Sequence, residues 1–188
     1  MKDSLAPGFI VAAPPLDDPN FHQSLVLMLR HDHEGAIGLV LNSPRVVGTI
    51  GALSNKLGIE ALPQIGAEPI RLGGPVQQSI GWLVYRPQGG DLLDAEIRLS
   101  DEVAVSPSRQ VLEVIARGEG PTPFRMLVGY SGWAPGQLEA ETRAGAWLPI
   151  DLDPALVFEV AVDDCWQEAF SRAGVTPAGF MGGPRGSA

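Results

Sequence analysis

Cysteine is nearly absent from this chain. Cys165 stands alone, so no internal disulfide and no thiolate metal cluster can form within one copy. Basic residues are also scarce: 13 Lys+Arg face 22 Asp+Glu, for a formal net charge of −9. Nonspecific nucleic-acid binding needs basic groups that displace counterions from phosphates, and the chain holds no run of Lys or Arg. Nucleic acid is therefore not an expected partner. No stretch approaches the roughly 20 apolar residues that cross a bilayer, and MKDSLAPGF lacks the apolar core of a secretory signal. The expectation is a cytoplasmic protein without membrane contact. Apolar residues, by contrast, make up 45% of the 188 residues and charged ones 19%. That balance fits one soluble domain with a substantial core, taken as residues 1–181, and a flexible Gly/Pro/Ser-rich tail at 182–188.

Along the chain, Phe9 to Ala13 reads as a short strand stopped by Pro14 and Pro15. Leu25 to Leu29 reads as a strand buried on both faces, and RHDHEG joins it in a hairpin to a strand from Ala36 to Leu41. Thr49 caps a helix carrying Ile50, Leu53 and Leu57, with Gly58 just past its end. Ile70 to Leu72, Ile80 to Tyr85 and Glu96 to Leu99 follow as strands. Ser106 and Pro107 are the expected start of a helix with Val111, Leu112 and Ile115 as its stripe. Trp147 and Leu148 read as extended, and Asp163 and Asp164 open a last helix that Gly174 ends. Strands and helices mix without steady alternation, so the class is α+β with a mixed sheet.

The densest signal is FRMLVGYSGWAPGQLEAE, residues 124–141. It reads as a strand to Val128, a glycine turn through Gly129, Gly132 and Gly136, and a helix from Gln137. The glycines beside Trp133 leave its face open, so Tyr130 and Trp133 are candidate ligand contacts, with Gln137 and Glu139 as a hydrogen-bonding floor. Ser131 sits in a near-match to the nucleophile elbow that fails at Trp133, where a second glycine belongs. A serine nucleophile also needs a base, and the histidines lie far upstream at 22, 31 and 33. His31-Asp32-His33-Glu34 has two imidazoles that would share a strand face, but no third ligand at defined spacing, so no metal is assigned. Gly73-Gly74-Pro75 reads as a tight turn, with an anion nest as the alternative. Cys165 reads as a small packing residue.

In chain order, GFIVAAP, DDPNFHQSLVLMLRHDHEGAIGLVLN, RLGGPV, GYSGWAPGQLEAE with AWLP, and CWQEAF resemble the YqgE/AlgH family of bacterial proteins over nearly the whole length. The resemblance implies an α+β fold whose mixed, bifurcated sheet closes partly into a small barrel flanked by helices. It brings no established activity and no DNA-binding element, although one member is named as a regulator of transcription in alginate synthesis. Among the positions it singles out are His31, Asn42, Gly73, Gly74, Tyr130, Trp133, Gln137 and Glu139. Relatives carry Cys-Glu immediately before the histidine matching His31; Leu29 and Arg30 stand there in this chain, which leaves a thiol-based role without its thiol.

These readings favour a noncatalytic binding or regulatory protein without a cofactor. A small polar ligand or a protein partner would meet the 129–139 turn, the Gly73–Pro75 turn and the hairpin ending at Asn42. The alternatives are an acid–base enzyme with His31 as base and Ser131 assisting, and a transcriptional regulator.

Overall fold

The computed structural model describes residues 4–89 and 93–181. Its elements in chain order are β1 (Gly8–Ala12), β2 (Leu25–Asp32), β3 (Gly35–Val40), β4 (Val46–Thr49), α1 (Ile50–Leu57), α2 (Pro63–Gly66), β5 (Pro69–Leu72) and β6 (Val76–Tyr85). Next come β7 (Ile97–Arg98), β8 (Ala104–Ser106), α3 (Arg109–Ala116), β9 (Phe124–Trp133), α4 (Gln137–Arg143) and β10 (Trp147–Ile150). Helices α5 (Pro154–Phe158), α6 (Cys165–Arg172) and α7 (Pro177–Met181) complete it, with a 3-10 turn at Val162–Asp164. The class is α+β, as the mixed pattern of apolar runs implies. The proposed tail at 182–188 lies outside the described residues.

Two compact units are distinguished: residues up to Asn42 with those from Gly132 onward, and Ser43–Ser131. The first unit is built on the antiparallel order β10-β1-β2-β3. Phe9 through Ala12 and Leu25 through Met28 are fully buried, as continuous apolar runs covered on both faces should be. One face packs Ile10, Ala12, Val26, Met28, Ala36 and Val40 against Leu138 of α4 and the indoles of Trp133 and Trp147. Phe9, Val11, Leu25 and Leu27 alternate to the other side. Helix α6 packs on β1 and β2 with Cys165, Ala169 and Phe170 buried, and Trp166 Nε1 donates to the Ala12 carbonyl at 2.8 Å. Cys165 is a packing residue there, its thiol 3.3 Å from the Ala161 carbonyl.

The second unit runs β4-β5-β9-β6-β8-β7, with β5 parallel to β9 and the other registered pairs antiparallel. Its core joins Ile50 of α1 and Val111, Leu112 and Ile115 of α3 to Ile70, Leu83, Tyr85 and Met126 of the strands. Thr49 Oγ1 caps α1 by accepting from the Ala52 N–H, and Gly58 closes it in the left-handed region.

Three expectations need correction. The partly closed barrel is not formed: in both units the strand order is open. Strand β9 does not end at Val128 but runs to Trp133, which leaves the reversal to residues 134–136. Gly129 takes φ +72° inside the strand instead, where a Cβ would stand 2.5 Å from the Gly74 carbonyl oxygen; close main-chain approach is what the glycine permits. Helix α3 is capped by Ser108, whose hydroxyl accepts from the Gln110 N–H. Ser106 is instead the last residue of β8, its hydroxyl donating to the Asp94 carbonyl at 2.7 Å.

Candidate functional site

In the first unit a groove of about 900 Å³ opens between the N-terminal segment, α4, β10 with the turn that follows it, and the end of α6. The polar end is built on His31. Strict alternation from Val26 and Met28 would bring Arg30 to the α4 face. A β-bulge between Met28 and Arg30 shifts the register by one, so His31 pairs with Ala36 and faces that side instead. Arg30 is turned outward, where its guanidinium meets Glu34 at 3.3 Å. The His31 side chain is only 5% exposed. Its Nδ1 accepts the backbone N–H of Leu5 at 2.9 Å, while Ser4 Oγ donates to the His31 carbonyl at 3.0 Å. An Nδ1 that accepts cannot carry the proton of the neutral ring, so Nε2 does. Nε2 lies 3.2 Å from Glu139 Oε1 but is not aligned with it for a hydrogen bond.

Helix α4 presents two faces with different tasks. Leu138 and Glu141 face the core. Phe21 stacks on Trp133 at 5.8 Å between ring centroids, and Trp147 meets Trp133 edge to face at 5.8 Å. Glu141 Oε2 accepts both indole N–H groups, from Trp133 at 3.0 Å and Trp147 at 2.8 Å, and Oε1 accepts Gln137 Nε2 at 2.8 Å. The other face carries Glu139, Thr142 and Arg143, spaced so that all three line the groove. Thr142 Oγ1 is buried without a hydrogen-bond partner, and Arg143 has no ion pair among the described residues.

Opposite stand Leu148, Pro149, Ile150 and Leu152. β10 has β1 as its one registered partner among the described residues. The Ala13 N–H donates to the Ala146 carbonyl at 2.9 Å, so 146, 148 and 150 bond inward while 147, 149 and 151 point outward. Pro149, which has no N–H, falls on the outward set and blunts this edge as a template for another strand. At the far end Asp153 caps α5 by accepting from the Ala155 N–H at 2.9 Å, and its second oxygen accepts from Arg172 Nη1. Hydrogen bonds to Asp153 first, then to Glu168, push the Arg172 pKa up, so this cation is already engaged at the rim.

The residues singled out by sequence divide accordingly. His31 and Glu139 meet in the groove. Gln137 lies on α4, its Oε1 accepting the Ala134 N–H at 3.0 Å. Asn42 Oδ1 accepts from the Leu25 N–H at 2.7 Å and its Nδ2 donates to the Gln23 carbonyl at 2.9 Å, tying the end of β3 to the start of β2. Trp133 is 6% exposed, its face covered by Phe21 rather than left open by the neighbouring glycines. Gly73, Gly74, Tyr130 and Ser131 belong to the second unit. There the Gly73 N–H donates to the Val128 carbonyl at 2.7 Å, Tyr130 pairs with Val76, and Ser131 is fully buried with its hydroxyl unpartnered. His33 is exposed beyond the end of β2, and among the described residues no three His, Cys, Asp or Glu side chains gather as a metal site. Thr142, Arg143, the 148–153 wall and Arg172 were not anticipated. The spacing of Glu139, Thr142 and Arg143 on a helix is the signal that would have found the first two.

Chemically, the groove offers an imidazole beside the Glu139 carboxylate, the hydroxyls of Ser4 and Thr142, the guanidiniums of Arg143 and Arg172, the carboxylates of Asp151 and Asp153, and apolar side chains along one wall. Neither hydroxyl that lines it, Ser4 or Thr142, hydrogen-bonds to the imidazole, so no activated nucleophile is assembled.

The chain as a whole is similar to known proteins. The family described as "DUF179: AlgH-like" matches residues 9–178. A "UPF0301 protein" of Anaeromyxobacter dehalogenans strain 2CP-C is 42% identical over 187 residues, covering 97% of this chain and 95% of the relative. A "UPF0301 protein" of Vibrio cholerae is 36% identical over 180 residues, covering 93% and 95%. The solution structure of the AlgH protein from Pseudomonas aeruginosa superimposes with a TM-score of 0.78 at 32% identity, covering 100% of this chain and 98% of that one. Among the described residues no helix is long and apolar enough to cross a membrane.

Proposed function

We propose, for a chain that belongs to the AlgH-like family, that it is a noncatalytic binding protein whose ligand occupies the groove between α4 and β10. One observation carries this reading: a buried histidine, fixed in one tautomer by a main-chain amide, stands at the polar end of a cavity of ligand size with an apolar wall. A binding site needs a few placed polar groups on apolar walls, and this groove supplies them. A catalytic site would add a nucleophile or a second acid–base group bonded to the imidazole. Binding of a small polar compound here, or of a partner's side chain, would be read out through α4 and the turn after β10. A regulatory role by that route needs no DNA contact, in keeping with the net charge of −9.

The test is a protein-observed NMR screen of small polar metabolites and fragments, following the amides of Leu5, Glu139–Arg143 and Leu148–Asp153. Shifts concentrated at these positions are expected for at least one compound, and lost in His31→Ala. A panel that leaves them all unmoved, or moves only amides elsewhere, contradicts the reading. The acid–base alternative rests on the same His31–Glu139 approach of 3.2 Å. It would prevail if a bound compound were converted and His31→Ala abolished turnover while leaving binding intact.

A further inference from the structure

Resting on that reading, we propose that the ligand of the groove is a small organic carboxylate with an apolar chain, its charged end held by Arg143. Glu139 and Arg143 are four residues apart with the acid N-terminal, the order that favours an ion pair along a helix. They do not pair: Glu139 approaches His31 instead, and the Arg143 guanidinium is left without an ionic partner among the described residues. At the neighbouring position, the Thr142 hydroxyl also lines the groove and is buried without a partner among the described residues. Arg143 and Thr142 thus both line a groove whose second cation, Arg172, is already paired with Asp153 and Glu168. A guanidinium is a fork matched to a carboxylate, and the hydroxyl can donate to the same group.

Across from these donors the wall carries Leu148, Ile150, Leu152 and Leu156, with Asp151 and Asp153 between them. A chain lying there is withdrawn from water, and each buried methylene strengthens binding about fourfold. A cavity of about 900 Å³ accommodates a chain of roughly ten carbons. Glu139 and Asp151 also line the groove, and Glu139 approaches His31 Nε2, so the seat for an anion is the Arg143 end rather than the His31 end.

Decanoate, decanol and decylammonium, each below its micelle threshold, are titrated into the full chain and read by calorimetry together with the amide shifts of 142–152. Decanoate is expected to bind, hexanoate to bind more weakly, and Arg143→Gln to weaken decanoate about tenfold or more. Arg143 is exposed, so that variant keeps its fold, and Arg143→Lys should recover part of the affinity. Equal binding of all three head groups, tighter binding of decylammonium, or indifference to Arg143→Gln overturns the proposal. Displacement of decanoate by a peptide that binds more tightly through its C-terminal carboxylate overturns the choice of a small molecule. If decanoate is silent while another compound moves the same amides, the carboxylate assignment fails and the groove reading survives. If nothing moves them, both fail.

Discussion

Glu141 is the residue whose loss the structure prices most clearly. One of its oxygens accepts the indole N–H of Trp133 at 3.0 Å and that of Trp147 at 2.8 Å, and both rings are almost wholly buried. Glu141→Ala leaves two buried donors unsatisfied, each costing about 1–3 kcal/mol. Glu141 is itself half-buried, so water can reach part of the space it vacates and the low end applies. The expected loss is about 2–4 kcal/mol, or about 5–15 °C in Tm for a chain of this size. Glu141→Gln keeps an acceptor oxygen in place and should cost about 1 kcal/mol, the charge-assisted part of the two bonds. Urea unfolding followed by tryptophan fluorescence measures both, since the perturbed rings are themselves the probe. An alanine variant within about 0.5 kcal/mol of the parent, or a glutamine variant no better than alanine, would refute the argument.

Other outcomes follow from different parts of the fold. In the second unit burial raises the Glu96 carboxyl, but hydrogen bonds from Tyr85 at 2.6 Å and from Arg98 outweigh it and hold the pKa below its ordinary value. Glu96 therefore contributes stability that is complete above the ordinary carboxylate range and is lost as pH falls through its folded-state value. Tyr85→Phe removes one of those bonds, so the slope of stability between about pH 5 and pH 3 should flatten in that variant; an unchanged slope in urea melts at stepped pH would contradict this. Gly129→Ala should cost about 3 kcal/mol or more, because the new methyl meets the Gly74 and Val76 carbonyl oxygens at 2.5 and 2.9 Å in a left-handed backbone. Gly136→Ala, at φ +74° with open space around it, should cost about 1 kcal/mol, and thermal melts that rank the two alike would be inconsistent with the packing described. Long-range ¹H–¹⁵N spectra should show His31 as the Nε2–H tautomer; an Nδ1–H tautomer would mean that Leu5 does not donate to the ring.

The strands read from sequence, in whole or in part, are β1, β2, β3, β5, β6, β7, β9 and β10, the first three from nearly continuous apolar runs. β4 could not be read so, because Val46 and Val47 are adjacent, both about half exposed, and follow neither period. At Ser106-Pro107 two rules competed. The serine has the chemistry of a cap, but its hydroxyl donates to the Asp94 carbonyl, twelve positions earlier, and accepts only the Ser108 N–H, while Ser108 caps the helix that starts at Arg109. α5 was missed although Asp153-Pro154 is a cap followed by proline in the first turn.

The candidate site was half legible. His31 and Glu139 are polar residues in segments dense with turn signals, and both could be named. That His31 faces α4 depends on a one-residue bulge and on an amide from Leu5, which no spacing along the chain records. The rings mislead in the opposite direction. Trp133 among glycines looks open in sequence, yet Phe21 and Trp147, distant along the chain, close over it. Arg143 attracts no notice until its natural partner is found facing elsewhere.

The most direct measurement is the structure of the chain co-crystallised with the tightest binder from the screen. The account places that compound between α4 and β10, its charged end at Arg143 and its apolar part against Leu148, Ile150 and Leu152. A compound seated on the Gly73–Pro75 turn, or anywhere that leaves this groove vacant, would contradict it.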